Sequence, residues 1–129
     1  MNARTSIPPR RRRILLVEDD VAAGDAMAQA LSERYDVSVA RDGVEGADMA
    51  ATFRPDLIVT DVTMPRLDGV SMVRRIREQL GSKVPVIFLT ALDSPKDVIA
   101  GIGAGARHYL SKPVDLNDLE KRIGRTLHV

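Results

Sequence analysis

The chain has 129 residues, of which 44% are hydrophobic and 29% are charged, and its formal net charge is +1. These values are typical of one globular domain, and they indicate no nucleic-acid partner for the domain as a whole. The absence of cysteine excludes disulfides, thiol catalysis and thiolate metal sites, and it fits a cytoplasmic location. No apolar run approaches the roughly 18 residues of a membrane-spanning helix, so we expect no membrane partner.

Residues 1–12 are expected to form a flexible basic tail, followed by the domain proper over residues 13–129. The tail contains Pro8 and Pro9 and leads into the basic block Arg10–Arg13, and it shows no hydrophobic periodicity. Such a stretch is usually a solvated extension. The alternative is a weak contact with an anionic surface.

Short apolar runs alternate with amphipathic segments along the rest of the chain. The predicted strands are Ile14–Val17, Val37–Ala40, Leu57–Thr60, Pro85–Leu89 and Arg107–Leu110. The predicted helices are Val21–Arg34, Gly43–Phe53, Val70–Leu80, a segment from Ser94 to the glycine-rich stretch Gly101–Gly105, and Leu116–Leu127. Asp42 and Asp115 are predicted N-caps, with Glu45 completing a capping box, and Gly81 is a predicted C-cap.

Five strand–helix repeats predict an α/β fold with a parallel sheet and helices on both faces. The leading architecture is a flavodoxin-like, doubly wound (βα)5 sheet with strand order 2-1-3-4-5. Ligands bind such sheets at the carboxyl ends of the strands, where the strand order reverses. That point lies between the first and third strands.

Acidic side chains end both of these strands. Glu18 and Asp19 follow the first strand, and Asp61 follows the third. Carboxylates brought together repel one another unless a cation or protons neutralise them, and a hard divalent ion such as Mg²⁺ suits them. Thr90 ends the fourth strand and Lys112 follows the fifth. These groups can together neutralise a transferring phosphoryl group, for which a carboxylate can be the nucleophile.

Each of these residues also has an ordinary structural interpretation. Asp61 alone is more often a cap or turn residue, Glu18 and Asp19 can belong to the cap of the first helix, and Lys112 can be a surface lysine. Thr90 can cap the segment that follows it. All of them at the carboxyl ends of strands one, three, four and five of a single sheet are much less expected by chance.

Over about residues 12–127 the chain resembles the response-regulator receiver domains of two-component signalling systems. The matching motifs are Val17-Glu18-Asp19-Asp20, Asp61-Val62-Thr63-Met64-Pro65 with Asp68-Gly69, Leu89-Thr90-Ala91, Gly103-Ala104-Gly105-Ala106 and Tyr109-Leu110-Ser111-Lys112-Pro113. Any one of these motifs is a weak signal, whereas the combination in this order is highly specific.

The resemblance implies a role for each matching residue. Asp61 would be the phosphoacceptor, and Mg²⁺ (or Mn²⁺) would be held by Asp19, Asp61 and the backbone carbonyl of Thr63, with Glu18 acting through water. Thr90 and Lys112 would contact the phosphoryl oxygens. Tyr109 would be the switch aromatic, and the bond before Pro113 would be cis.

The resemblance also implies a signalling role rather than that of an enzyme. A histidine kinase or phosphotransfer protein would donate the phosphoryl group. Phosphorylation would then switch the face formed by the fourth predicted helix, the fifth strand and the last helix, and so control a partner protein or an output domain outside this chain. The resemblance also allows a phosphorylation-dependent dimer, but Arg107 and His108 stand where many relatives carry the acidic pair of the usual symmetric dimer, so we do not expect that form of it.

Three other classes of protein compete with this interpretation. A Mg²⁺-dependent phosphatase of the haloacid-dehalogenase type also uses an aspartyl nucleophile, but it needs a second Asp where this chain has Thr63. A flavodoxin-like binding module would need a Ser/Thr-rich phosphate loop after the first strand, where this chain has acids. A degenerate receiver that acts only as an interaction domain would lack site residues, and here all of them are present.

Overall fold

The structure is a computed structural model that describes residues 10–81, 83–91 and 106–129, with only the backbone described for residues 106–108. Five strands form one sheet: β1 (Arg13–Val17), β2 (Asp36–Ala40), β3 (Leu57–Asp61), β4 (Val86–Thr90) and β5 (Ala106–Ser111). Their order is β2-β1-β3-β4-β5 and every pairing is parallel, so the predicted architecture is confirmed. The described helices are α1 (Val21–Leu31), α2 (Gly43–Phe53), α3 (Gly69–Leu80) and a last helix (Leu116–Leu127).

Hydrophobic residues cover both faces of the sheet. Alternate strand residues such as Leu15 and Ile58 pack with α2 and α3 on one face. Their neighbours, such as Leu16 and Val59, pack with α1 and the last helix on the other. Because both faces are buried, β1 and β3 read as unbroken apolar runs rather than as an alternating pattern. The helix predicted between Ser94 and Gly105 lies outside the described residues.

The first helix is shorter than the predicted Val21–Arg34, because the chain turns after Leu31. The Ser32 hydroxyl donates to the Ala28 carbonyl at 2.6 Å, and the Tyr35 backbone N–H donates to the Leu31 carbonyl at 3.0 Å. The turn lets Tyr35, only 6% exposed, join the core cluster beside α1. The apolar periodicity of the sequence gives no sign of this turn, so the predicted end of the first helix at Arg34 was wrong.

Strand boundaries differ from the predictions by one residue. β4 begins at Val86 rather than at Pro85 and includes Thr90, and β5 runs over Ala106–Ser111. Proline has no backbone N–H to donate to a neighbouring strand, so Pro85 stands outside β4. Its carbonyl still accepts a hydrogen bond from the Ile58 backbone N–H at 3.0 Å.

The predicted helix caps are confirmed. The Asp42 side chain accepts from the Glu45 backbone at 2.8 Å, and Asp115 accepts from two backbone N–H groups of the last helix. Glu45 reaches back to the Arg41 backbone at 2.9 Å, one residue before the cap. Gly81 ends α3 with a φ of 63°. None of the described helices is long and apolar enough to cross a bilayer.

The residues just before β1 are held along the amino-terminal edge of the sheet. Arg10 forms a 3.9 Å ion pair with Asp56, and the Arg11 guanidinium donates to the carbonyls of Ser32 and Arg34. The Arg12 carbonyl accepts from the Asp36 backbone at 2.9 Å. These contacts belong to residues that sequence analysis assigned to the basic tail.

Candidate functional site

Three carboxylates meet at the carboxyl ends of β1 and β3. Val17 pairs with Thr60 across these strands, so the residues that follow, Glu18 and Asp61, are neighbours. One carboxylate oxygen from each of Glu18, Asp19 and Asp61 lies within 4.8 Å of the other two. Glu18 and Asp61 are almost completely buried, with 0% and 2% exposure, and Asp19 is exposed.

One ammonium group serves both buried acids. Lys112 Nζ lies 3.0 Å from Glu18 Oε1 and 2.5 Å from Asp61 Oδ1. Glu18 Oε2 also accepts from the Asp20 backbone at 3.0 Å. Asp61 Oδ2 is buried and finds no hydrogen-bond partner among the described residues. The site therefore has more buried negative charge than its lysine can balance.

This imbalance separates the pKa values of the two acids. Burial, reinforced by the neighbouring Glu18 carboxylate, raises the pKa of Asp61 to about 8 against the partly offsetting effect of Lys112. Burial acts to raise the pKa of Glu18, but the adjacent Asp61 carboxyl group, the hydrogen bond from the Asp20 backbone and the Lys112 ammonium together outweigh burial and lower it. The two carboxylates raise the pKa of Lys112 despite its partial burial. Without a bound metal ion, the raised pKa of Asp61 therefore favours its protonated form at neutral pH, even with Lys112 beside it.

A small cavity of about 140 Å³ opens beside the acidic cluster. It is lined by Asp61, Thr63, Leu89, Thr90, Ala91 and Lys112. The predicted site residues of β3, β4 and the segment after β5 thus face one space. Its volume is several times the roughly 30 Å³ that one water molecule occupies in the liquid, so it can hold a group of phosphoryl size. The Thr90 hydroxyl donates to the Ala91 carbonyl at 3.1 Å.

Backbone contacts fix the positions of Lys112 and Asp61. The Lys112 N–H donates to the Thr90 carbonyl at 2.9 Å, and the bond between Lys112 and Pro113 is cis, as the resemblance implies. A side chain at Gly69 would place its Cβ 2.0 Å from the Asp61 carbonyl oxygen. The first turn of α3 can therefore approach the end of β3 closely because residue 69 is glycine.

Tyr109 lies on β5 with 44% of its surface exposed. Its ring stacks on Phe88, with 6.3 Å between the ring centroids and 24° between the planes. The residue therefore has both an apolar contact on β4 and a large solvent-exposed surface.

The acidic cluster fits a hard divalent cation. It offers carboxylate oxygens, which Mg²⁺ prefers, and one of them, Asp61 Oδ2, is buried without a hydrogen-bond partner among the described residues. Asp19 and Asp61 are the direct candidates to hold the ion, and Thr63 lines the adjoining cavity. Glu18 is already engaged by Lys112 and the Asp20 backbone, which suits a contact through water better than a direct one.

Sequence reasoning missed two features of the site. It paired Lys112 with a phosphoryl oxygen and not with Glu18. The positions of residues at strand ends predict that their side chains lie close together, but not which charged groups form ion pairs. The motif Asp68-Gly69 also did not predict that α3 approaches Asp61 closely at Gly69. A glycine directly after the cap residue Asp68, whose side chain accepts from the Ser71 backbone at 2.8 Å, was the available signal of a close approach.

Comparison with known proteins agrees with this geometry. The sequence model of the response regulator receiver domain family matches residues 14–124. Response regulators MprA of Mycobacterium avium and Mycobacterium tuberculosis are each 46% identical over 112 residues, which are 86% of this chain and 49% and 48% of those proteins. The chain therefore spans about half the length of the curated relatives it matches.

Solved structures give the same result for the fold. A Francisella response regulator receiver domain aligns with a TM-score of 0.78 and 33% identity, covering 91% of this chain and 97% of that one. A CheY-like receiver domain protein of Methanospirillum hungatei aligns with a TM-score of 0.82 and 29% identity, covering 92% and 94%.

Proposed function

The chain belongs to the response regulator receiver domain family, and on that basis we propose that Asp61 accepts a phosphoryl group from a phosphohistidine. The donor would be a histidine kinase or a phosphotransfer protein. The observation that carries the proposal is the position of Asp61, whose buried Oδ2 has no hydrogen-bond partner among the described residues and adjoins a cavity also lined by Thr90 and Lys112. The chain is a signalling domain, and no turnover of a small-molecule substrate is proposed.

The transfer is a nucleophilic displacement at phosphorus. A carboxylate oxygen of Asp61 forms a bond to phosphorus as the bond between phosphorus and the donor imidazole nitrogen breaks. The electron pair of that bond stays on the nitrogen, which takes a proton, and Asp61 becomes an acyl phosphate. Asp61 must be unprotonated to attack, so neutralisation of its site by cations is a requirement of the chemistry.

Residues of this chain provide part of that neutralisation. Lys112 already contacts Asp61, and its ammonium can shift to an oxygen of the incoming group. The acids Asp19 and Asp61, with the Thr63 carbonyl, would hold Mg²⁺ (or Mn²⁺), and Glu18 would act through water. When bound, the ion supplies positive charge to the phosphoryl oxygens.

Phosphorylation would act as a switch through Thr90 and Tyr109. The Thr90 hydroxyl has a single bond among the described residues, to the adjacent Ala91 carbonyl, so it can turn toward a phosphoryl oxygen at little cost. We propose that Tyr109, which is exposed and already stacks on Phe88, then moves inward toward the position that Thr90 leaves. The result is a population shift of the face that includes β5 and the last helix.

The altered face would control a partner protein or an output domain. We place this activity in the cytoplasm, where kinases of two-component systems present their phosphohistidine. Residues 13–129 would form the receiver domain and residues 1–12 a basic extension. A receiver that acts by interaction alone is the alternative, and the same experiment decides between them.

The test is phosphorylation of the purified chain by acetyl phosphate, read by intact mass. Wild type with Mg²⁺ should gain one phosphoryl group, about 80 Da. Asp61→Asn should gain none, and chelation of Mg²⁺ should abolish the gain in wild type. Asp48→Asn is the matched control, because Asp48 is an exposed acid on α2, away from the site, and this variant should be modified like wild type.

Two results would contradict the proposal. The first is an unmodified wild-type protein that also shows no structural response to beryllofluoride, which would leave the interaction-domain alternative. The second is a mass gain that persists in Asp61→Asn, which would place the phosphoryl group on another residue.

A further inference from the structure

A second concave site lies along the last helix and beside the turn after α1, away from Asp61. The cleft has a volume of about 700 Å³ and opens between the turn after α1 and the last helix. Tyr35, which is almost buried, contributes an aromatic surface to it, and the exposed residues Arg34, Lys121 and Arg125 surround it. This volume is within the range of about 300–1,000 Å³ found for ligand pockets.

The cleft brings together three cations that have no acidic partner among the described residues. Elsewhere Arg41 pairs with Asp25 at 2.8 Å and Arg66 pairs with Asp42 at 3.2 Å. Within the described part of the chain, by contrast, the side chains around the cleft make no ion pair or hydrogen bond; they are Arg34, Lys121 and Arg125. Three unpaired cations around one concavity produce a positive potential that favours an anionic ligand.

The cleft also contains one acidic side chain, Glu120. A suitable ligand would therefore carry negative groups for the cations and, beside Glu120, a hydrogen-bond donor or an uncharged group. Gly124 has no side chain to occupy the part of the cleft beside the last helix. A Cβ at this position would lie 3.2 Å from the Val129 carbonyl oxygen. The space beside Tyr35 can therefore admit an apolar side chain.

We propose that this cleft docks a short acidic segment of a partner protein that also carries an apolar side chain. Carboxylates of the segment would meet Lys121, Arg125 and Arg34. A backbone N–H could donate to Glu120, and an apolar side chain could lie against Tyr35. A flat anionic membrane cannot enter a concave site in this way, and a nucleic-acid backbone would bring phosphates against Glu120 without using the aromatic surface.

The proposal does not depend on the phosphoryl chemistry of Asp61. The cleft runs along the last helix from Asn117 to His128 and reaches the turn after α1, and it shares no lining residue with the acidic cluster or with the cavity beside Asp61. A partner bound in the cleft would thus leave the Asp61 edge accessible to a phosphoryl donor.

The test uses a fluorescently labelled peptide of alternating glutamate and leucine, titrated with the full chain at two salt concentrations. The double variant Lys121→Glu/Arg125→Glu should bind at least about tenfold more weakly than wild type, and added salt should weaken wild-type binding. The control Arg75→Glu/Lys83→Glu makes the same charge change at exposed positions away from the cleft and should stay within about twofold of wild type.

A second variant tests whether binding needs the open volume of the cleft as well as its positive charge. Gly124→Leu fills the cleft without changing charge and replaces a poor helix former with a good one, so it should weaken peptide binding without lowering the melting temperature. Equal weakening by the cleft and control double variants would overturn the proposal. So would tighter binding, through the same residues, of a single-stranded oligonucleotide or of phosphatidylglycerol vesicles.

Discussion

Lys112 Nζ lies 2.5 Å from Asp61 Oδ1, although the lysine side chain is 36% exposed and Asp61 is almost completely buried. Among the described residues, the same ammonium also provides the cationic contact of Glu18. One solvent-accessible cation therefore stabilises two buried carboxylates. This arrangement leaves the cation able to move toward a new anionic group, and it leaves the acids sensitive to its removal.

Replacement of this lysine should destabilise the metal-free domain. Lys112→Ala leaves Asp61 and Glu18 without their cation, and we expect a loss of about 1–3 kcal/mol at pH 7, less than for a fully buried pair because solvent reaches the ammonium. Urea unfolding in a chelator measures the change. Lys83→Ala, at an exposed position without an ion pair among the described residues, is the control and should change stability by less than about 0.5 kcal/mol. Equal stability of Lys112→Ala and wild type would contradict the role given to the pair.

The stability of the metal-free domain should fall as pH rises from about 5 to 8. The folded state keeps a proton on Asp61, whose pKa is about 8, while the unfolded state loses it near 3.8. The stabilisation from this proton is complete below the unfolded pKa and is lost as pH rises through the folded value. Glu18, whose pKa is lowered, titrates below this range.

Asp61→Asn should remove most of that pH dependence and should be more stable than wild type at pH 8. Urea midpoints in a chelator at three pH values measure the slope, and Asp48→Asn should keep the wild-type slope. A wild-type stability that rises between pH 5 and 8 would show that the buried acid is charged in the folded state.

Two glycines should respond differently to alanine. Gly69→Ala places a Cβ 2.0 Å from the Asp61 carbonyl, so α3 or β3 must shift, and we expect a loss of about 1–3 kcal/mol together with slower phosphorylation. A Cβ at residue 81 would meet no atom of the described residues within 4 Å, but the backbone there has a φ of 63°. Gly81→Ala should lose about 1 kcal/mol and be phosphorylated at the wild-type rate. Comparable phosphorylation of both variants would show that the close contact at Gly69 does not support the site.

The two tyrosines of the chain allow an internal test of the switch. Tyr109 is 44% exposed and Tyr35 is 6% exposed, so nitration of the unmodified domain should occur mainly at Tyr109. Beryllofluoride with Mg²⁺ mimics the phosphorylated state and should protect Tyr109, while Tyr35 should stay protected throughout. Unchanged nitration of Tyr109 would argue against its inward movement.

The order of the strands and the convergence of the acids could be predicted from the sequence. Unbroken apolar runs such as Ile14–Val17 indicate strands in a sheet that is covered on both faces. Because such strands are parallel, their carboxyl ends lie along the same edge of the sheet. Glu18 and Asp61 follow from that geometry. The helix caps could be predicted as well, because Asp42 and Asp115 act through local hydrogen bonds to their own helices.

Features that depend on tertiary contacts could not be predicted. The end of α1 is set by the burial of Tyr35, and a helical repeat carries no sign of that burial. Lys112 can contact both Glu18 and Asp61 only if these side chains lie within a few ångströms of each other. The strand register sets that distance, and the sequence alone does not reveal it. The basic cleft needs the last helix to pack beside α1, so the charges of Arg34 and Lys121 appear unrelated along the chain.

Localising the phosphoryl group tests the central claim most directly. After treatment with acetyl phosphate and Mg²⁺, borohydride reduces an acyl phosphate to the alcohol with release of phosphate, which converts a phosphorylated aspartate into homoserine. Peptide mapping by mass spectrometry should then find homoserine at position 61 and unmodified aspartate at positions 19 and 68. Homoserine at another acidic position, or at none in a protein that has gained phosphoryl mass, would contradict the assignment of Asp61 as the phosphoacceptor.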